Sequence, residues 1–191
     1  MFGLFKSKKN LTEMLAILDE HGIRLSSERS IGVLKSEWGE ALDNFEALLA
    51  AMGDEMLDEE TFETKGHHSN GVWHFDTETI EDAGSYVRIA ENIARLAAPA
   101  LDTLGFSDSV DLEEGKAWIE VRDADKVRRH DLRVDDDWVD PAVFTVLGDY
   151  LKQAGSEKII ATHGLGQDCL IVCKTPGEIR ALNKATGLKF R

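Results

Sequence analysis

The sequence predicts an α+β fold: antiparallel sheet built from successive strand-strand-helix units with helices packed on one face, preceded by a short N-terminal helix. Three observations carry this. Short alternating or wholly apolar runs come in pairs, and each pair is followed by a stretch with apolar residues at helical spacing. The units fall at roughly 22–53, 61–105, 115–155 and 157–187. Hairpins each followed by a covering helix give antiparallel sheet rather than the parallel sheet of alternating strands and helices. No residue-level identity links the units, so the recurrence is one of shape.

The lone first helix starts at Asn10-Leu11-Thr12-Glu13, where Asn10 is a cap and Glu13 sits three residues on. Leu11, Leu15 and Leu18 share a face, and Gly22 closes the helix. Ile23–Leu25 and Ile31–Leu34 around the polar SSERS read as a hairpin. Ser36 then caps a helix whose Trp38, Leu42, Phe45, Leu49 and Met52 follow a 4-3-4-3 rhythm up to Gly53.

The next unit pairs a strand near Phe62 and Thr64 with Val72–Asp76, through a loop holding His67, His68 and the turn signal Asn70-Gly71. A long helix follows from about Asp82, with Tyr86, Ala90, Ile93, Ala97 and Leu104 inward. Pro99 should kink or divide it. The polar, acidic stretch Phe106–Gly115 is the expected lobe boundary. On that reading residues 1–10 are a frayed basic terminus, 11–108 an acidic lobe and 111–191 a near-neutral α+β lobe, the alternative being one continuous domain.

Ala117, Ile119 and Val121 alternate with Trp118, Glu120 and Arg122 as a half-buried strand, and a second strand runs through Leu132 and Val134. Asp140-Pro141 opens a helix with Phe144, Leu147, Leu151 and Ala154 inward. Lys158–Thr162 and Cys169–Lys174 flank the turn Gly164–Gln167. The second of these strands is apolar on both faces, as in a central strand. Thr175-Pro176-Gly177-Glu178 joins a capping box to a Pro at the first helical position, and Gly187 ends that helix.

Charge is the strongest functional signal. The net charge is −14, but residues 11–110 hold 21 Asp/Glu against 6 Lys/Arg while residues 111–191 hold 15 against 13. Such a field repels nucleic acid and anionic membrane and speeds encounter with a cationic partner. The tract Asp54–Glu63 has six carboxylates in ten residues, and Glu37, Glu40, Asp43 and Glu46 fall along one flank of the expected preceding helix. The reading is a non-enzymatic protein-binding module, of inhibitor or immunity type, engaging a basic protein partner. Its face would comprise Glu37, Glu40, Asp43, Glu46, Asp54, Glu55, Asp58, Glu59, Glu60 and Glu63. An acidic secretion-type chaperone is a second form of that reading.

The rival class is a metal-binding protein or small enzyme. His67, His68 and His74 surround one expected hairpin, with Asp76 in phase with His74, yet H-H-x₅-H matches no strong zinc spacing. His163 beside Gly164, Gly166 and Gln167 offers an acid-base group at a glycine turn, but neither a phosphate-binding loop nor a dinucleotide fingerprint is present. No nucleophile elbow stands out, and no cofactor is implied. Cys169 and Cys173 fall on one side of a strand about 13 Å apart, beyond disulfide reach. Reduced thiols, a start without the order of a secretory signal and Phe at position 2 fit a cytoplasmic protein with no membrane attachment.

Overall fold

The computed structural model describes residues 9–26, 31–58, 60–61 and 64–191, the side chain of Glu40 excepted. The order is α1 (Leu11–Glu20), α2 (Ile31–Trp38), a 3₁₀ turn (Gly39–Ala41), α3 (Phe45–Gly53), β1 (Glu55–Leu57), β2 (Thr64–His67), β3 (Trp73–Asp76), α4 (Ser85–Ala97), β4 (Leu104–Asp111), β5 (Lys116–Asp123), β6 (Lys126–Leu132), α5 (Ala142–Gln153), β7 (Ile159–Gly164), β8 (Asp168–Lys174) and α6 (Pro176–Thr186). All strand pairs are antiparallel, in three sheets ordered β1-β2, β3-β8-β7 and β4-β5-β6. The α+β class and the short first helix stand. Among the described residues no helix is long and apolar enough to cross a membrane.

Two apolar clusters lie on either side of β3-β8-β7. One face supplies Trp73, Phe75, Cys169, Ile171 and Cys173, packed with α4, α5 and the inner side of β4-β5-β6. The other supplies Ala161, Leu170 and Val172, packed with α1, α3 and α6. The double coverage explains why β8 is buried along nearly its whole length. Each cluster draws on residues from both sides of position 110.

Two of the expected N-terminal caps fold as read, whereas Ser36 lies inside a helix and Pro141 itself is the N-cap of α5. Asn10 with Glu13 and Thr175 with Glu178 form reciprocal capping boxes, and Gly187 ends α6 at φ 82°. The alternation in β5 buries Ala117, Ile119 and Val121. In α4 Tyr86, Ala90, Ile93 and Ala97 are buried.

Four expectations are corrected. Ile31–Leu34 is not a strand: Ile31, Leu34 and Trp38 recur at helical spacing, and α2 takes the segment, leaving Leu25 bridged only to Ser69. The helix from Ser36 to Gly53 is two helices, because Gly39 adopts φ 56° and Asn44 caps a new one by accepting the Ala47 amide at 2.9 Å. Glu37, Glu40, Asp43 and Glu46 therefore share no helical flank. β2 and β3 do not form a hairpin: β2 pairs with β1, the chain after β2 pairs with residues 25–26, and β3, with Trp73 and Phe75 buried, joins β8. The stretch Phe106–Gly115 is strand as far as Asp111. Its Phe106, Asp108 and Val110 pair with the buried positions Val121, Ile119 and Ala117, so alternation had marked β4. Leu104 opens that strand, since the helix ends at Ala97, before Pro99.

Candidate functional site

The carboxylates of the acidic tract divide by what the backbone does with them. Glu55 opens β1, and its side chain, only 5% exposed, turns inward beneath α4. Its Oε1 accepts from Trp73 Nε1 (3.1 Å), Asn92 Nδ2 (3.0 Å) and Arg88 Nε (3.3 Å). Its Oε2 accepts from Thr64 Oγ1 (2.7 Å) and meets Arg88 Nη2 at 3.1 Å. Burial pushes its pKa up, but the Thr64 hydroxyl and the Arg88 guanidinium outweigh burial and the value lies below the usual one. Glu55 is a pin between hairpin and helix, and it leaves the proposed surface.

Asp58 is likewise occupied. It accepts the Glu60 and Thr61 amides at 2.8 Å each and pairs with Lys65, which with those amides brings its pKa down to about 2. Glu60 lies exposed on the same turn, while Glu59 and Glu63 lie outside the described residues. Glu37 is 3.9 Å from the ring of buried His68. Asp43 accepts from Asn44 Nδ2 at 2.8 Å, and Glu40 sits on the 3₁₀ turn.

The three histidines of the expected hairpin face three ways. His67 lies near Arg95, Glu55 and Arg88, where burial and then the Arg95 charge lower it to about 4, so the ring is neutral. His68 faces Glu37. His74 sits between Asp54 (Nδ1 to Oδ1, 2.6 Å) and Asp168 (Nε2 to Oδ2, 3.7 Å), and the Asp54 hydrogen bond raises its pKa against the effect of burial. Among the described residues no three His, Cys, Asp or Glu side chains are grouped to hold a metal ion. His163, half-buried, binds Glu46 Oε2 through Nε2 at 3.2 Å and the Lys189 amide through Nδ1 at 3.2 Å.

A carboxylate row that the sequence did not reveal runs from His74 along the end of the central sheet. Asp76 and Asp168 are direct cross-strand partners in the β3-β8 ladder. The Gln167 amide spans Asp76 (3.4 Å) and Glu78 (2.6 Å). Partial burial and the charges of Asp137, Asp76 and Asp136 push the Glu78 carboxyl above its usual value. Among the described residues none of Asp76, Glu78, Asp136 and Asp137 pairs with a lysine or arginine. Trp138, bridged through its backbone to Glu78, is 42% exposed beside them. Like charges set opposite one another across strands are destabilising, so this row stands at a cost to the fold.

Nothing comparable favours nucleophilic chemistry. Burial drives both cysteine thiols up to about 12, far from the thiolate a nucleophile needs. A cavity of about 320 Å³ at the start of α4, over Trp73 and Phe75, mixes Glu81 and Asp82 with Arg88, itself engaged by Glu55. The α4 N-terminus at its side is closed by Asp108, whose carboxylate accepts the amides of Gly84 (2.6 Å), Tyr86 (2.8 Å) and Val87 (3.0 Å). In comparison with known proteins the chain matches no family model, and no curated protein or solved structure is significantly similar to it.

Proposed function

We propose that this chain is a non-enzymatic protein-binding module that engages a basic protein partner through an acidic surface, as an inhibitor or immunity-type protein does. The observation that supports it is the row Asp76–Asp168–Glu78–Asp136–Asp137. Asp168 faces His74, but Asp76, Glu78, Asp136 and Asp137 crowd one another with no lysine or arginine on them among the described residues, and an exposed indole stands beside them. Lysines or arginines of a partner would relieve that repulsion, and Trp138 would supply the aromatic anchor typical of interface centres. Of the carboxylates first expected on the face, Asp54 adjoins the row through His74, whereas Glu55 and Asp58 serve the fold. The reduced, buried cysteines fit action in the cytoplasm.

The test is capture from source-cell lysate, with the retained protein identified and its affinity measured. Wild type should hold a basic protein at about 50 mM salt and lose most of it by about 300 mM, where screening shortens the reach of surface charge. Reversing Asp76, Glu78 and Asp137 to Lys should weaken that binding at least tenfold. Reversing Glu113 and Glu114, exposed on the β4-β5 turn, should leave it nearly unchanged. Equal losses in both variants would reduce the row to bulk charge and overturn the reading.

A further inference from the structure

His163 makes a hydrogen-bond choice that depends on its protonation. On the face of the central sheet covered by α3, His74, Leu170 and His163 lie in one row across β3, β8 and β7. Carboxylates from the two ends of α3 meet the two rings: Asp54 meets His74, and Glu46 meets His163. The two rings are otherwise opposite. His74 has a carboxylate at each nitrogen, which suits the imidazolium. His163 has a carboxylate at Nε2 but a backbone N–H, that of Lys189, at Nδ1. An N–H can be accepted only by an unprotonated Nδ1, so the ring must be the neutral tautomer with its proton on Nε2.

The accepted amide belongs to the segment Leu188–Arg191, which folds back along β7. Arg191 and Thr162 exchange both backbone hydrogen bonds (3.0 and 3.1 Å), so the segment covers the outer edge of β7. Phe190 is buried against the second apolar cluster and stacks at 5.7 Å from the His163 ring. The Asn183 amide clasps the Phe190 backbone in both directions, at 2.8 and 2.9 Å.

We infer that His163 is a protonation-controlled latch: neutral, it helps hold the 188–191 segment on the β7 edge; protonated, it keeps Glu46 and loosens that segment. A second ring proton sits on Nδ1 and points at the Lys189 N–H, setting two donors against each other at a distance that had held a bond. The charged groups on the elements packed round the ring are Glu46 on α3, at Nε2, and Lys189 and Arg191 on the segment, both exposed. The cross-strand neighbour Leu170 carries no charge, and His74 lies beyond it. Release bares the Thr162 N–H and C=O, and an open edge strand pairs readily with another strand. The Asn183 clasp and the Phe190 plug remain, so the segment loosens rather than detaches.

Amide exchange read by NMR, corrected for intrinsic rates, tests this at pH 7.5 and pH 5. In wild type the protection of the Lys189, Arg191 and Thr162 amides should fall about tenfold at the lower pH, while β8 amides hold. His163→Asn keeps an acceptor near the Nδ1 position without a titrating ring, and its protection should be pH-independent. Nitrogen shifts of the His163 ring should show Nδ1 unprotonated at pH 7.5. Constant protection in wild type, the same fall in His163→Asn, or a protonated Nδ1 at pH 7.5 overturns the latch. Should His163→Asn fail to fold, His163→Gln, which also keeps an amide acceptor without a titrating ring, takes its place with the same expected outcome.

Discussion

Glu55 and Glu78 are both glutamates on the flanks of short N-terminal strands, and their surroundings treat them in opposite ways. Glu55 is nearly buried yet more acidic than usual, because the Thr64 hydroxyl and the Arg88 guanidinium outweigh burial, and Trp73 and Asn92 donate to it as well. Glu78 lies at the edge of the fold yet is less acidic than usual, because partial burial and the charges of Asp137, Asp76 and Asp136 act on it, while the Gln167 amide donates to it. A carboxylate satisfied from within the chain is a structural part. One crowded by its own kind has unmet demand that a partner can satisfy. The difference separates carboxylates that hold this fold from those offered to the outside, which net charge alone does not do.

The contrast breaks first if Glu55 proves dispensable. Glu55→Ala leaves Arg88, Asn92 and the Trp73 indole without their shared acceptor, so unfolding in urea should show a loss of about 3–5 kcal/mol with unchanged m. A loss under about 1 kcal/mol would mean that the pin carries no more than a surface pair. The next largest effect concerns Asp108, another carboxylate used by the fold. Asp108→Ala frees three amides at the start of α4, where Gly84 offers no side-chain cap. The expected loss is about 2 kcal/mol, with hydrogen exchange rising in the first turn of α4 before the rest.

How legible these roles were depends on the range of the interaction. The capping boxes at Asn10 and Thr175, the alternation in β5 and the stripe in α4 are set by neighbours a few residues away, and the sequence showed them. Asn44 was equally local; it went unread because the 4-3-4-3 apolar rhythm runs straight through Gly39. β4 was hidden by Ser107, Asp108 and Ser109, polar residues of which only Asp108 has a buried task. The acidic row depends on β3 reaching β8, a pairing across about a hundred residues that no local pattern encodes. Only the phase of Asp76 with His74 pointed that way. The tract 54–63 looked uniform in composition, and its division between Glu55 inside and Glu60 outside rests on Trp73, Arg88 and Asn92, partners far along the chain that hold Glu55.

His67 sharpens the comparison from the basic side of the Glu55 network. Its pKa falls to about 4 from the ordinary value near 6.5, so the unfolded chain takes up a proton between those limits and the folded chain does not. A base depressed on folding contributes stability above its unfolded value and loses it as pH falls toward the folded one. The ring is only partly buried, so the full shift is discounted for screening to about 1 kcal/mol lost between pH 6.5 and pH 4. Urea midpoints across that range should slope more steeply in wild type than in His67→Asn. Equal slopes would place His67 outside the network.

Glu78→Gln is the smallest change and the most discriminating. A carboxyl raised above its unfolded value binds its proton more readily when folded, so its contribution to stability is present at low pH and disappears as pH rises through the folded value. Above that point the ionised group costs the fold through its like-charged neighbours. Glutamine keeps an oxygen for the Gln167 amide and removes the charge. The variant should therefore melt about 1 °C higher than wild type at pH 7, and the two should converge near pH 3, where the carboxyl is protonated in both states. Partner affinity should fall at the same time, since a cationic partner has lost one of the charges that draw it. Higher stability with weaker binding is the signature of strain kept for recognition. Higher stability with unchanged binding would leave the row a flaw of the fold, and lower stability would show that Glu78 belongs with Glu55 after all.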